Sequence, residues 1–215
     1  MKYNTIIFDL DGTLLNTLED IKDSVNYALD KCGFPKRSLE EINSFVGNGT
    51  DYLIEKAVPS NTTKDKLSNC TQIYRKHYKT NMDNKTAPYE GILEMIKKLK
   101  GDGYKLAVVS NKFDSAVKTL CKKYFSEFLE VAIGESSSIK RKPAPDTVFK
   151  AMKELDSKKE VCIYVGDSDV DVKTAHNVGI ECIGVSWGFR GRQVLEKEGA
   201  DYIIDRPEEI YNIIA

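Results

Sequence analysis

The chain has no C-x-x-C pair, no apolar run approaching the ~20 residues that cross a bilayer, and almost no net charge. Its five cysteines (Cys32, Cys70, Cys121, Cys162 and Cys182) are scattered and odd in number. That pattern argues against a disulfide scaffold or a zinc site and suits a reducing compartment. Cys162 and Cys182 fall inside apolar runs, where cysteine packs as a small hydrophobe. Thirty-two basic residues against thirty-three acidic ones leave a formal charge of −1. Neither nucleic acid nor an anionic membrane is therefore an expected partner. One lysine followed by a short run ending in Asp9 does not have the form of a secretory signal, so the expected compartment is the cytoplasm. No internal repeat or low-complexity segment is present.

What is present is a well-solvated chain with enough apolar content to build a core: 41% hydrophobic and 30% charged over 215 residues. That length accommodates one large domain, or a core domain carrying an insert. Strand-like runs recur at residues 3–8, 104–110, 131–134, 161–165, 180–185 and 202–204. Helix-period stretches lie between most of them. In YEGILEMIKKLKGDG, Ile92, Met95, Ile96 and Leu99 share one face, and Gly101 and Gly103 supply stop signals. Residues 114–124, 145–155 and 170–177 read the same way. Continuous apolar strands alternating with helices predict an α/β fold with a doubly wound parallel sheet covered on both faces.

The alternation fails after Leu15. About 70 residues follow with helical candidates only, and Thr17 and Ser38 stand at N-cap positions with Asp20 and Glu41 three residues on. We expect a helical insert at 16–82 and a core domain formed by 1–15 and 83–215.

Ligands of open parallel sheets bind beyond the carboxyl ends of the strands. Asp9 and Asp11 follow the first strand; Ser110, Asn111 and Lys112 follow the second; Asp167, Asp169 and Asp171 follow the fourth. Lys142 lies between the third strand and the next helix. In extended chain Asp9 and Asp11 project to the same side, and two carboxylates ~5 Å apart repel by about 3 kcal/mol at an effective dielectric of ~20. Adding Asp167 calls for a hard divalent cation, and an all-oxygen set suits Mg2+. Such a rim suits phosphate, with Ser110 and Asn111 as donors and Lys142 as a point charge.

Other readings of these segments are weaker. DSDVD could open an EF-hand loop, but Val172 and Val178 occupy its obligatory Gly and Glu positions. His77 and His176 lie within helices as structural residues, and Trp187 anchors a loop. Gly47, Asn48 and Gly49 open a helix whose free N–H groups could receive an anion; the alternative is a plain glycine turn.

In order, FDLDGTLLNT, VVSNK, KPAPD and VGDSDVD resemble the four motifs of the haloacid dehalogenase superfamily of phosphotransferases. The resemblance covers the whole chain, and the insert after the first motif is similar to the superfamily's small helical cap. YVGDSDVDVKTAHNVGI and the later WGFRG and GADYIIDRPEEI are similar to phosphoglycolate phosphatase-type members.

The resemblance implies that Asp9 is the nucleophile and Asp11 the general acid and base. The Asp9 carboxylate, the Asp11 backbone carbonyl and Asp167 would hold Mg2+. Asp171, rather than Asp169, would support the metal through water or as an orienting group. Thr13, Ser110, Asn111 and Lys142 would bind the phosphoryl group. Arg141 stands where many relatives have glycine, but Pro143 and Pro145 stiffen the chain beside Lys142 and favour it as the base that reaches the site. The implied activity is hydrolysis of a small phosphomonoester by a monomer or homodimer. The alternative is a sugar-phosphate mutase of the β-phosphoglucomutase type.

Overall fold

The computed structural model describes residues 2–214. They form two units, one of 2–15 with 88–214 and one of Asn16–Ala87.

Along the chain, β1 (Thr5–Phe8) leads through a tight turn to β2 (Leu15–Asn16). Four helices follow: α1 (Leu18–Lys31), α2 (Leu39–Phe45), α3 (Thr50–Ala57) and α4 (Lys64–Asn81). Then come β3 (Ala87–Pro88), which pairs with β2, and α5 (Ile92–Gly101). The remainder alternates: β4 (Lys105–Phe113), α6 (Asp114–Phe125), β5 (Val131–Glu135), α7 (Asp146–Glu154), β6 (Cys162–Gly166), α8 (Asp169–Val178), β7 (Glu181–Val185), α9 (Arg192–Glu198) and β8 (Tyr202–Ile204).

The six long-range strands make one parallel sheet in the order β5-β4-β1-β6-β7-β8. Central β1 is buried along its whole length, with Ile7 in register with Ala107 on one side and Tyr164 on the other. Ile7, Val109, Tyr164 and Cys182 pack with Val148, Val172 and Leu195 into one core layer. The fold is the expected α/β type, and the continuous apolar strands are those a two-faced parallel sheet requires.

One element departs from the sequence reading. Strand β4 does not stop at Ser110 but runs to Phe113, with a register shift between Val109 and Phe113. The shift lets β4 keep pairing with β5 through Glu135, so the segment SNK sits at the buried end of a strand.

In the second unit, α1 packs on α4, with Ile21, Val25, Ala28 and Leu29 buried alongside Cys70, Tyr74 and Tyr78. Among the described residues no strand occurs within 17–86. Ser38 forms the expected capping box with Glu41. Thr17 takes the N-cap position of α1 without a side-chain cap bond. Asp20 is engaged elsewhere: its carboxylate accepts from the backbone N–H of Lys85 (3.1 and 3.0 Å) and of Thr86 (2.8 Å), and from Thr86 Oγ1 (2.8 Å). These bonds tie residues 85–86 to α1, which explains why the unit runs to Ala87 rather than Met82. His77 stacks on Tyr27 with ring centroids 3.9 Å apart and bonds Ser24 Oγ. No helix among the described residues is long and apolar enough to cross a membrane.

Candidate active site

The backbone N–H of Asp9 donates to Val165 O at 2.9 Å, so Asp9 continues the β1–β6 ladder by one residue. Gly12 then turns the chain at φ +88°, and Leu10 O accepts from the N–H groups of Thr13, Leu14 and Leu15. Glycine is required at position 12 on two counts. Its φ is disfavoured for other residues, and a Cβ there would lie 2.5 Å from Asp167 Oδ2. The close approach brings the ends of β1 and β6 together: Thr13 Oγ1 donates to Asp167 Oδ1 at 3.2 Å. Gly188, in the loop after β7, is constrained by the second of these counts alone, since its Cβ would meet Asp167 Cβ at 2.2 Å. Next to it, Phe189 N–H donates to Asp167 Oδ2 at 2.7 Å, and Trp187 Nε1 anchors the loop on Thr13 O at 3.1 Å.

At the centre lies Lys142, only 3% exposed. Its Nζ donates to Asp9 Oδ1 (2.7 Å), Asp171 Oδ1 (2.7 Å) and the Tyr164 hydroxyl (3.0 Å). Asp171 Oδ2 accepts from Ser168 N–H (3.1 Å) and Ser168 Oγ (2.6 Å), which makes it half of the capping box that opens α8. Asn111 Nδ2 donates to Lys142 O at 3.0 Å, fixing the lysine backbone from β4. Ser110 is buried beside it, and its Oγ accepts from Lys112 N–H at 3.2 Å. Arg141 turns toward Glu135, 3.8 Å away, with an exposed side chain. Asp169 pairs with Lys173 at 3.0 Å on α8. Of each neighbouring pair, then, Lys142 and Asp171 reach the cluster.

Asp9, Asp167 and Asp171 each offer a carboxylate oxygen within 4.8 Å of the others, and all three are buried. Burial, opposed by Lys142 and reinforced by Asp171 and Asp11, pushes Asp9 up to about 7. Burial, then Asp171 and Asp9, holds Asp167 well above the usual carboxylate range. Burial works against the Lys142 ammonium, but Asp171 and Asp9 outweigh it and keep the lysine charged. One buried ammonium, helped at longer range by Arg190, faces three carboxylates. Among the described residues, Asp167 receives its hydrogen bonds from the neutral donors Thr13 Oγ1 and Phe189 N–H. An excess of buried anionic oxygen, with no nitrogen or sulfur ligand in the cluster among the described residues, fits a hard divalent cation such as Mg2+.

Reading the sequence by motif left two residues here without a role: Lys112, placed on the rim but given no task, and Tyr164. Lys112 grips both oxygens of Asp11, at 2.8 and 2.9 Å, with little solvent on either side chain. Its signal was its place beside Ser110 and Asn111 at the end of the strand; its partner Asp11 lies across the sheet. Tyr164 gave no such signal; a tyrosine in an apolar strand reads as core. Lys112→Met should lower kcat/KM by about tenfold, the cost of leaving a buried carboxylate without its charged partner. Unchanged kinetics in a folded variant would mean that the pair only supports the loop.

Gly47, Asn48 and Gly49 lie in the second unit between α2 and α3. Gly47 (φ +114°) and Gly49 (φ +85°, the N-cap of α3) both occupy backbone conformations that favour glycine.

Residues 6–185 match the haloacid dehalogenase-like hydrolase family. The chain is 31% identical over 216 residues to the pyrophosphatase PpaX of Bacillus mycoides, covering 100% of this chain and 98% of that protein. It is 29% identical over 211 residues to the phosphoglycolate phosphatase of Aquifex aeolicus, covering 97% and 95%. A crystal structure from Lactobacillus delbrueckii subsp. bulgaricus, of a protein named for phosphoglycolate phosphatase, superposes with a TM-score of 0.93 at 34% identity and covers 100% of this chain and 99% of that one. With its carboxylates, lysine and serine gathered at the strand ends in the motif order, the chain belongs to the haloacid dehalogenase-like hydrolases.

Proposed function

We propose that this hydrolase is a magnesium-dependent phosphomonoesterase acting on a small phosphorylated metabolite, of the phosphoglycolate kind, through an aspartyl-phosphate on Asp9. The observation that carries this reading is the buried Lys142 ammonium held 2.7 Å from Asp9 Oδ1. A cation at the nucleophile's own oxygen is placed to stabilise a phosphoryl group arriving there.

Asp9 attacks phosphorus as the bond to the leaving alcohol breaks, splitting one hydrolysis into two transfers. Asp11 protonates the leaving alkoxide, then takes a proton from the water that attacks the aspartyl-phosphate. Ser110 and Asn111 contribute donors to the phosphoryl oxygens, Lys142 contributes charge, and Thr13, whose hydroxyl is given to Asp167, holds that carboxylate at the edge of the phosphoryl site. The Asp9 carboxylate, the Asp11 backbone carbonyl and Asp167 are the groups that would hold Mg2+. When bound, the metal supplies positive charge that offsets phosphoryl anion and carboxylates together. Asp171, whose two oxygens already accept from Lys142, Tyr164 and Ser168, serves to orient.

The test is a panel of 2-phosphoglycolate, other small phosphomonoesters, pyrophosphate and glucose 1-phosphate, with labelled phosphate trapped on the enzyme by rapid quenching. Release of phosphate from an ester, with label on Asp9, is expected. Isomerisation of glucose 1-phosphate without phosphate release, or release with no label on Asp9, overturns the reading.

Discrimination among esters is assigned to the turn at 47–49. Gly49→Val, forced into a positive φ, should lower kcat/KM for the preferred ester by roughly tenfold. A generic aryl phosphate, whose leaving group needs little help, should change much less. Equal losses on both substrates would remove the turn from substrate selection.

A further inference from the structure

We propose that Tyr164 is a positioning residue for phosphoryl transfer: with Asp171 it fixes the Lys142 ammonium so that the remaining N–H points at Asp9. An ammonium has three N–H groups, and Lys142 Nζ makes three hydrogen bonds: Asp9 Oδ1 at 2.7 Å, Asp171 Oδ1 at 2.7 Å and Tyr164 OH at 3.0 Å. The Tyr164 O–H donates in turn to Asp171 Oδ1 at 3.0 Å, closing a ring of three groups. Ser168 pins the far oxygen of Asp171 from the N-terminus of α8. Tyr164 and Asp171 are buried to within 1% of complete, so no water competes for these bonds.

A lysine head on a four-carbon stem otherwise has rotational freedom. The ring removes it. Two N–H groups are held by Tyr164 and Asp171, and the third is directed to the carboxylate of the nucleophile. A phosphoryl oxygen can accept that third N–H while the other two bonds stay in place, and this is preorganisation in the electrostatic sense. Packing alone does not call for the hydroxyl. The ring of Tyr164 lies in the core layer with Ile7, Val109, Val172 and Cys182, where phenylalanine would fit as well. A buried hydroxyl in an apolar strand is costly unless hydrogen-bonded, and here both of its bonds go to the reacting cluster.

This inference rests on Asp9 being the group phosphorylated, and the test separates the two. Tyr164→Phe keeps the ring and removes only the hydroxyl. Rapid-quench measurement at saturating substrate should show the rate of Asp9 labelling lowered by about tenfold, with KM within about twofold, the scale expected for losing a hydrogen bond to a charged group. In a Lys142→Met background the same change should cost less than about twofold, because residues that act through one another are non-additive. If that background does not fold, Lys142→Arg, whose planar guanidinium cannot reproduce the three-way arrangement, takes its place. A labelling rate in Tyr164→Phe equal to wild type overturns the inference, and so does a full tenfold cost that persists without Lys142. Absence of label on wild-type Asp9 overturns the mechanism and the inference together; label on Asp9 with an unaffected Tyr164→Phe overturns the inference alone.

Discussion

Asp9→Asn is expected to leave the protein folded and to lower turnover by about 10⁴-fold or more. Asparagine has the shape of aspartate, so the ladder bond from its backbone N–H to Val165 O is untouched. What is lost is the nucleophile, because a neutral amide oxygen does not attack phosphorus. Stability should move the other way. The ordinary aspartate pKa of 3.8 rises to about 7 in the fold, with burial the leading cause. A carboxyl raised in the folded state favours its protonated form, so the metal-free protein loses stability as pH climbs from about 4 to about 7. Asparagine does not ionise and escapes that loss. Thermal melts in EDTA should therefore show wild type falling relative to Asp9→Asn across that window and running parallel above it. Residual turnover near the wild-type level would remove Asp9 from the chemistry. A variant that melts far below wild type at pH 8 would show that the Lys142 ion pair outweighs the burial cost.

Chelation should be as severe. EDTA is expected to abolish activity, Mg2+ to restore it, and Ca2+ to restore it poorly, because calcium takes more ligands in looser geometry and would displace the nucleophile from line. The binding groups must shed their protons to accept a metal. Mg2+ affinity should thus rise with pH through the range near 7 in which Asp9 ionises, and Asp167, also raised by burial, adds to that rise, which calorimetric titration would read directly. Asp167→Ala should raise the Mg2+ requirement steeply, since it removes a buried carboxylate held by the neutral donors Thr13 Oγ1 and Phe189 N–H. Full activity in metal-free buffer would dispose of the argument from crowded carboxylates.

Much of this site is legible in the sequence because strand endings are local. FDLDG, VVSNK and VGDSD each show an apolar run breaking into polar residues, and a parallel sheet puts all such endings on one rim. The helical insert was legible for the same reason: its periodicity is carried by neighbours, and the Ser38–Glu41 capping box formed as written. The expectation failed where a side chain had a better distant partner. Asp20 reads as a local capping partner of Thr17, yet it binds Lys85 and Thr86, more than sixty residues away. Strand β4 outlasted its apolar run because β5 continued to pair with it past the bulge.

The sequence by itself determined which functional groups stand at the strand ends and in what order, since alternation along a strand and glycine at a turn are properties of consecutive residues. It could not decide which groups touch. Lys112 reaches Asp11 across 101 positions, Lys142 reaches Asp9 across 133, and Thr13 reaches Asp167 across 154. Those partnerships follow from the strand order β4-β1-β6, which sets the two strands that carry SNK and GDSD on either side of the one that carries Asp9. Only after that placement does one buried ammonium face three carboxylates, and only there does a core tyrosine gain an electrostatic task. Adjacency across a sheet is decided by packing the whole chain at once, whereas hydrogen-bond direction and desolvation depend on adjacency at the scale of an ångström.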